Sequence, residues 1–289
     1  MIYLDNFVLP GERAEDIVIL EEERTCLNTF YPFKIFPQKA LDEVQMDNVT
    51  VFYGGNGSGK STLINVIAAK INAIRYSDFN IAPLFYQFVD MCRAEFKRRP
   101  PAAYVLSSDD VFDYVLNART VNGNIDDKRN ELFKKYRDTH LRAMRDKTIY
   151  KLKGLDDYKN WQENMDILRD SMSGYVRDRV SPDIDLYSNG ETAMKYFIDR
   201  INEDAVYFLD EPENSLSVQF QIELADYIVS TARATRSQFI IATHSPILLA
   251  MKDALIYNLD EYPVDTCVWT ELPNVRRYFD FFMDHADEF

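Results

Sequence analysis

One short run constrains this chain more than any other: Gly54-Gly55-Asn56-Gly57-Ser58-Gly59-Lys60-Ser61-Thr62. It fits the pattern G-x-x-x-x-G-K-S/T. A compact apolar stretch, Asn48–Tyr53, precedes it, and Leu63–Ile74 after it has the spacing of a partly buried helix. Glycines let the backbone curl until successive N–H groups point inward, and the following helix directs its positive end at the same spot. The product is a cradle for phosphate oxygens. Strand, cradle and helix together predict an α/β fold. Lys60 is placed to reach a β- or γ-phosphate, and the Ser61 hydroxyl to ligate Mg²⁺.

Three further stretches bear on that cradle. Ala205–Leu209 is apolar on both faces, as a strand inside a helix-covered sheet would be, and it ends in Asp210-Glu211. At the carboxyl end of such a strand, Asp210 would join the Mg²⁺ shell, and Glu211 would polarise an attacking water. A second strand of the same kind, Gln238–Thr243, ends in His244, whose imidazole would bond a γ-phosphate or the water. Ser188-Asn189-Gly190-Glu191 reads first as a capping box, with Ser188 as N-cap and Glu191 three residues on. The same turn exposes a hydroxyl and free N–H groups, an anion site without a lysine.

The remainder of the chain divides by pattern. Met1–Leu9, Asp16–Leu20 and Phe33–Phe36 read as short strands of an N-terminal antiparallel β part, and Ala102–Leu106 as another strand. Between about residues 109 and 182 the pattern turns helical. Tyr158, Trp161, Met165, Leu168, Met172 and Tyr175 recur like a short coiled-coil seam, with a weaker stripe at Leu132, Tyr136, His140 and Met144. The expectation is one discontinuous domain over 1–289, with a core of 1–108 and 183–289 and a helical insertion at 109–182. That insertion reads either as a projecting hairpin or as helices packed on the core. The formal charge is −14, yet residues 119–153 hold 11 Lys/Arg against 5 Asp/Glu. This basic stretch is either a solvated helical face or a docking surface for DNA, RNA or an acidic partner. No run approaches the roughly 20 apolar residues that cross a bilayer. The N-terminus lacks the layout of a secretion signal, and three scattered cysteines fit reduced thiols, so a cytoplasmic, non-membrane protein is expected.

In order, the phosphate loop, Ser-Asn-Gly-Glu, Leu-Asp-Glu-Pro-Glu-Asn-Ser-Leu-Ser and Ala-Thr-His-Ser-Pro resemble the ABC ATPase superfamily. Within it the chain is similar to stand-alone ATPases related to the SMC and RecF-like repair and defence proteins. The resemblance implies ATP and Mg²⁺ as ligands, with Gly54, Gly55, Asn56, Gly57, Ser58, Gly59, Lys60, Ser61 and Thr62 around the phosphates. It further implies that Ser188, Asn189, Gly190 and Glu191 contact the γ-phosphate of ATP held by a second copy, in a homodimer with two ATP sites. Asn214–Ser217 would cross that interface, and His244 would be the switch histidine. One feature departs from the family. No glutamine follows the Ala102–Leu106 strand, where Ser108 and Asp109 stand instead, and Gln87 lies too early. The absence of an N-K-x-D motif favours ATP over GTP.

The expected function is ATP hydrolysis that closes and opens a dimer, switching a separate, nuclease-like effector or a nucleic-acid contact in repair or anti-phage defence. The alternative is the nucleotide-binding subunit of an ABC membrane transporter. Glu191, the Glu-Asn after Asp-Glu-Pro and the Ser-Pro after His244 speak against it. A small-molecule kinase would leave Ser188–Glu191 unexplained.

Overall fold

The computed structural model describes residues 2–24, 27–77, 79, 81–146, 158–180, 189–202 and 204–289. In chain order it begins with β1 (Leu4–Val8), α1 (Glu12–Glu21), β2 (Glu43–Gln45) and β3 (Val49–Tyr53). Next come α2 (Lys60–Lys70), β4 (Ile74–Arg75), α3 (Phe85–Met91), β5 (Arg93–Phe96) and β6 (Ala103–Ser107). The middle is helical, with α4 (Ser108–Arg145), α5 (Tyr158–Arg169), α6 (Met172–Arg177) and α7 (Asn189–Arg200). Then follow β7 (Val206–Asp210), α8 (Val218–Ala234), β8 (Gln238–Thr243), α9 (Pro246–Leu249), β9 (Leu255–Asn258) and α10 (Pro273–Asp284). By contacts the chain divides into two compact units, Met1–Asp113 with Ser188–Phe289, and Tyr114–Tyr187.

In the first unit six strands run in the order β4-β6-β7-β8-β3-β9, each pairing parallel. Strands β3 and β8 are buried along their whole length, and β7 along all but its last residue, which is why each reads as an unbroken apolar run. Parallel pairing gathers the carboxyl ends on one edge. Tyr53 stands opposite Thr243, and Asp210 opposite Ala242, so β8 separates the phosphate-loop strand from the acidic strand.

The second sheet, β2-β1-β5, is antiparallel and covers part of the same core. One side chain ties the two sheets together. The buried Gln238 amide accepts from Tyr3 N (3.0 Å) and Leu4 N (2.9 Å), and donates to Leu4 O (2.8 Å) and Asp47 O (3.0 Å). A buried amide with its donors and acceptor satisfied fixes register as well as adding stability.

Two expected N-terminal strands are not strands. Asp16–Leu20 lies in α1, where Glu12 and Glu15 occupy the positive end of the helix and Gly11 precedes it. Glu15 is buried, and Val18 and Ile19, three and four residues on, pack against the core, while Ile17 and Leu20 stay exposed. That is a helical, not an alternating, pattern. Phe33–Phe36 forms turns instead, placing two buried phenylalanines three residues apart, with Lys34 at φ 66° between them. Lys34 is held there by Asp16 at 2.6 Å, and its N–H donates to Glu15 Oε2 at 2.5 Å.

In the second unit, the part of α4 past Tyr114 packs against α5 and α6. Lys135 pairs with Glu163 (2.5 Å), Tyr136 Oη donates to Asp170 O (3.1 Å), and a His140 ring nitrogen lies 3.2 Å from Ile167 O. Ile167, Tyr175 and Val176 form its buried centre, against Leu132, Phe133, Tyr136 and Val180. The expected seam from Tyr158 to Tyr175 does not run through. The helix stops at Arg169 and restarts at Met172, where the Ser171 hydroxyl caps Gly174 N at 3.1 Å. Tyr158 and Met172 are exposed, and Met144 is 80% exposed, which removes it from the other stripe. Gly154, which lies between the two stripes in sequence, is outside the described residues.

Candidate active site

The phosphate loop links β3 to α2, which begins inside the motif at Lys60. Gly57 (φ 80°) and Gly59 (φ 96°) take left-handed conformations that a side chain would strain. At Gly54 a Cβ would stand 2.4 Å from Ser58 Oγ, so the loop closes only over a bare α-carbon. The Lys60 ammonium is buried, curled over its own loop to donate to Gly54 O (2.7 Å) and Gly55 O (3.0 Å). It also stands 3.4 Å from Glu211 Oε1. From across the sheet edge, Asp260 Oδ2 accepts the Gly55 N–H at 2.8 Å. Thr62, the last residue of the motif, is buried, its hydroxyl 2.7 Å from Tyr31 Oη.

The two acidic residues after β7 behave differently. Asp210 Oδ1 accepts from Ser61 Oγ at 2.9 Å. Burial pushes its carboxyl up to about 6; Ser61, Lys60 and Arg75 pull the other way and Glu211 adds to the rise. Glu211 sits at φ 47°, a left-handed conformation that costs a residue with a Cβ about 1–2 kcal/mol. Its N–H bonds Ala242 O (2.9 Å) and its Oε2 accepts from Asn214 Nδ2 (3.1 Å), which together hold it there. Strained backbone of this kind concentrates where a side chain must be aimed.

His244 follows β8 and is partly exposed. Glu213, buried beneath it, accepts from Thr243 Oγ1 (2.6 Å) and His244 N (2.8 Å), all through Oε1. His244 Nδ1 lies 3.3 Å from the same oxygen, without hydrogen-bond alignment. Ser245 caps α9, donates to Gln221 Oε1 at 2.7 Å, and so ties the histidine turn to α8.

Two cavities meet at Glu211 and Asn214. The first, about 410 Å³, is lined by Ser61, Arg75, Ser107, Asp109 and Asp210. Arg75 enters it with its guanidinium 4.1 Å over the Phe79 ring and bonded to Asn65 Oδ1. This is the region where the family would place a glutamine; Gln87 lies instead on α3 and lines neither cavity. The second cavity, about 680 Å³, is lined by Gly54, Gly55, Asn56, His244, Asp260 and residues at the start of α10.

The fold thus brings together the phosphate loop, Asp210, Glu211 and His244. Ser188 lies outside the described residues, as does the Asn189 side chain, although Asn189 opens α7. Gly190 packs so closely on α8 that a Cβ there would stand 2.8 Å from the Phe220 ring. Glu191 is exposed in the first turn of α7, and neither Gly190 nor Glu191 lines either cavity. Sequence reasoning missed Arg75, Glu213, Asp260 and Arg277, the last of which lines the second cavity from α10. Only Glu213 carried a local signal, as the glutamate directly after Asp-Glu-Pro.

Residues 190–249 match the family model described as AAA ATPase domain, a span that holds α7 from Gly190 on, the acidic pair and His244. A search of curated proteins found no match. Among solved structures the chain is similar to the Smc head domain with an extended coiled coil, bound to the C-terminal domain of ScpA, from Pyrococcus furiosus. That likeness has a TM-score of 0.43 at 12% identity, over 99% of this chain and 100% of the other. An inward-facing structure assigned to the metal-chelate type of ABC transporter gives 0.42 at 14%, over 97% of this chain and 89% of the other. A Smc head bound to the C-winged helix domain of ScpA gives 0.36 at 16%, over 81% and 94%. Among the described residues no helix is long and apolar enough to cross a membrane. The family match falls on the strand ends that face the glycine cradle, and over those residues the chain is similar to AAA ATPase domains.

Proposed function

We propose that this ATPase works as a homodimer that clasps two MgATP molecules between its copies and opens when they are hydrolysed. The observation that carries the reading is the pairing of Ser61 with Asp210 at 2.9 Å beside the Lys60–Glu211 pair. A hydroxyl and a carboxylate side by side are the oxygen donors that Mg²⁺ takes from a protein while phosphates complete its shell. Bound there, the cation would neutralise charge on the β- and γ-phosphates. The residues of the chain would do the rest. Lys60 would leave the loop carbonyls for the phosphates, freeing Glu211 from its ion pair. Glu211, aimed by its backbone and by Asn214, would orient the attacking water and take its proton. His244, with its main chain fixed by Glu213, would donate to the γ-phosphate.

Support for the dimer comes from what a single copy lacks. Gly190 and Glu191 line neither cavity, so Ser188–Glu191 would serve the neighbour's phosphate loop, across an interface that includes Asn214–Ser217. A γ-phosphate held from both sides favours the closed dimer, and its loss favours the open one. A separate effector, nuclease-like in the leading case, or DNA or RNA at residues 119–153, would read that change in repair or defence.

The test uses two variants. Glu211→Gln should bind ATP, lose nearly all turnover and elute as a dimer in ATP but not in ADP, by light scattering. Ser188→Arg should bind ATP as a monomer and form no ATP-dependent dimer. Turnover undiminished in the first, or a full ATP dimer in the second, removes the proposal.

A further inference from the structure

The wall of the second cavity opposite the phosphate loop is built by the start of α10. Pro273, Asn274 and Arg277 line it together with Gly54, Gly55, Asn56, Glu211 and His244. Tyr53, the last residue of the strand leading into the phosphate loop, lines the same cavity beside Asn274. Leu272 and Val275, on either side, are buried, so the first turn of α10 is anchored.

The charges in this cavity are unevenly committed. Asp260 is spent on the Gly55 N–H. Lys60 does not line this cavity and is held by two loop carbonyls and Glu211. Arg277 is exposed and, among the described residues, has no ion pair. It is the cation of this cavity that is available to an anion. A guanidinium presents several N–H groups in a plane and matches a phosphate with two bonds at once. The cavity is also lined by Glu211 and His244, which the proposed function sets beside the terminal phosphate.

We infer that Arg277 binds the γ-phosphate of ATP held in the phosphate loop, and so makes α10 sense whether triphosphate or diphosphate is bound. The inference rests on the ATP reading of the loop and adds to it a contact from the opposite end of the sequence. An ADP-bound site would leave Arg277 without its anion. The affinity of this residue for nucleotide should therefore appear only with a third phosphate.

The experiment measures binding of AMP-PNP and ADP, both with Mg²⁺, by calorimetry on the full chain. Arg277→Ala should weaken AMP-PNP by about tenfold or more, the loss expected for charge-assisted bonds, and leave ADP within about twofold. Arg277→Lys should recover part of the AMP-PNP loss, which a merely structural role would not produce. Lys60→Ala is measured alongside and should weaken both nucleotides. If Lys60→Ala weakens binding but Arg277→Ala is inert, or weakens both nucleotides equally, the inference is overturned and the site reading stands. Should the unaltered chain bind neither nucleotide, both fall.

Discussion

Asp210 offers a perturbation in which stability and activity should move in opposite directions. Its carboxyl titrates at about 6 rather than the ordinary 3.8, chiefly because the folded chain takes it out of water. The folded state therefore holds the Asp210 proton more tightly than the unfolded state does. Stability is full below about pH 4, falls as pH rises through about 6, and levels off above. The gap, at about 1.4 kcal/mol per tenfold change in proton affinity, is about 3 kcal/mol. Asp210→Asn removes the ionisation while keeping an amide oxygen to accept from Ser61. The apoprotein carrying it should gain up to about 3 kcal/mol at pH 7.5 and close to nothing at pH 4. Urea unfolding in EDTA without nucleotide, read by tryptophan fluorescence at four or five pH values, measures the difference. The same variant should lose ATPase activity, because the carboxylate proposed to meet Mg²⁺ is gone. An Asn variant no more stable than the parent at pH 7.5, or an advantage that fails to shrink toward pH 4, would refute the reasoning. This is the form a trade-off takes when a charge is kept buried for its ligand.

Two further outcomes are expected. Glu213→Ala leaves the Thr243 hydroxyl and the His244 N–H buried without their acceptor and should cost about 3 kcal/mol in urea unfolding, whereas Glu213→Gln, which keeps the oxygen, should cost less than half of that; equal losses would mean the bonds are not the cause. Reversing Lys134, Lys135 and Arg137 to Glu should lower the salt slope of any duplex DNA binding by about 2, since Lys135 is already tied to Glu163 and two charges remain for phosphates; an unchanged slope by fluorescence anisotropy would leave the basic helix a solvated surface.

How far the sequence could be read depended on whether a feature was contiguous. The phosphate loop, the acidic pair and the histidine turn each carry their meaning within a few neighbouring residues, and buried parallel strands announce themselves as apolar runs. That β8 lies between β7 and β3 was not legible in those runs and appears only in the strand pairing. Asp260 could not be found that way, because its partner Gly55 is 205 residues distant. Arg277 and Arg75 are arginines in ordinary surroundings until the fold sets them at a cavity. The errors near the N-terminus have a different origin. Ile17-Val18-Ile19-Leu20 is largely β-branched and apolar, so local preference favours a strand, whereas in the structure these residues lie in α1 with Val18 and Ile19 packed on the core. At Asp170-Ser171 a periodic stripe concealed a break, because hydrophobic spacing does not register a capping serine.

The strand order also has a consequence for synthesis. In β4-β6-β7-β8-β3-β9 both neighbours of β3 come from the last quarter of the chain. The glycine cradle is made early, yet the strand that presents it has nothing to pair with until residues 238–258 leave the ribosome. Tyr3, Leu4 and Asp47 wait as long for Gln238. A chain truncated before that point would carry every phosphate-loop residue and still have no sheet to mount them on. Completion of the sheet around β3 therefore waits for β8 and β9.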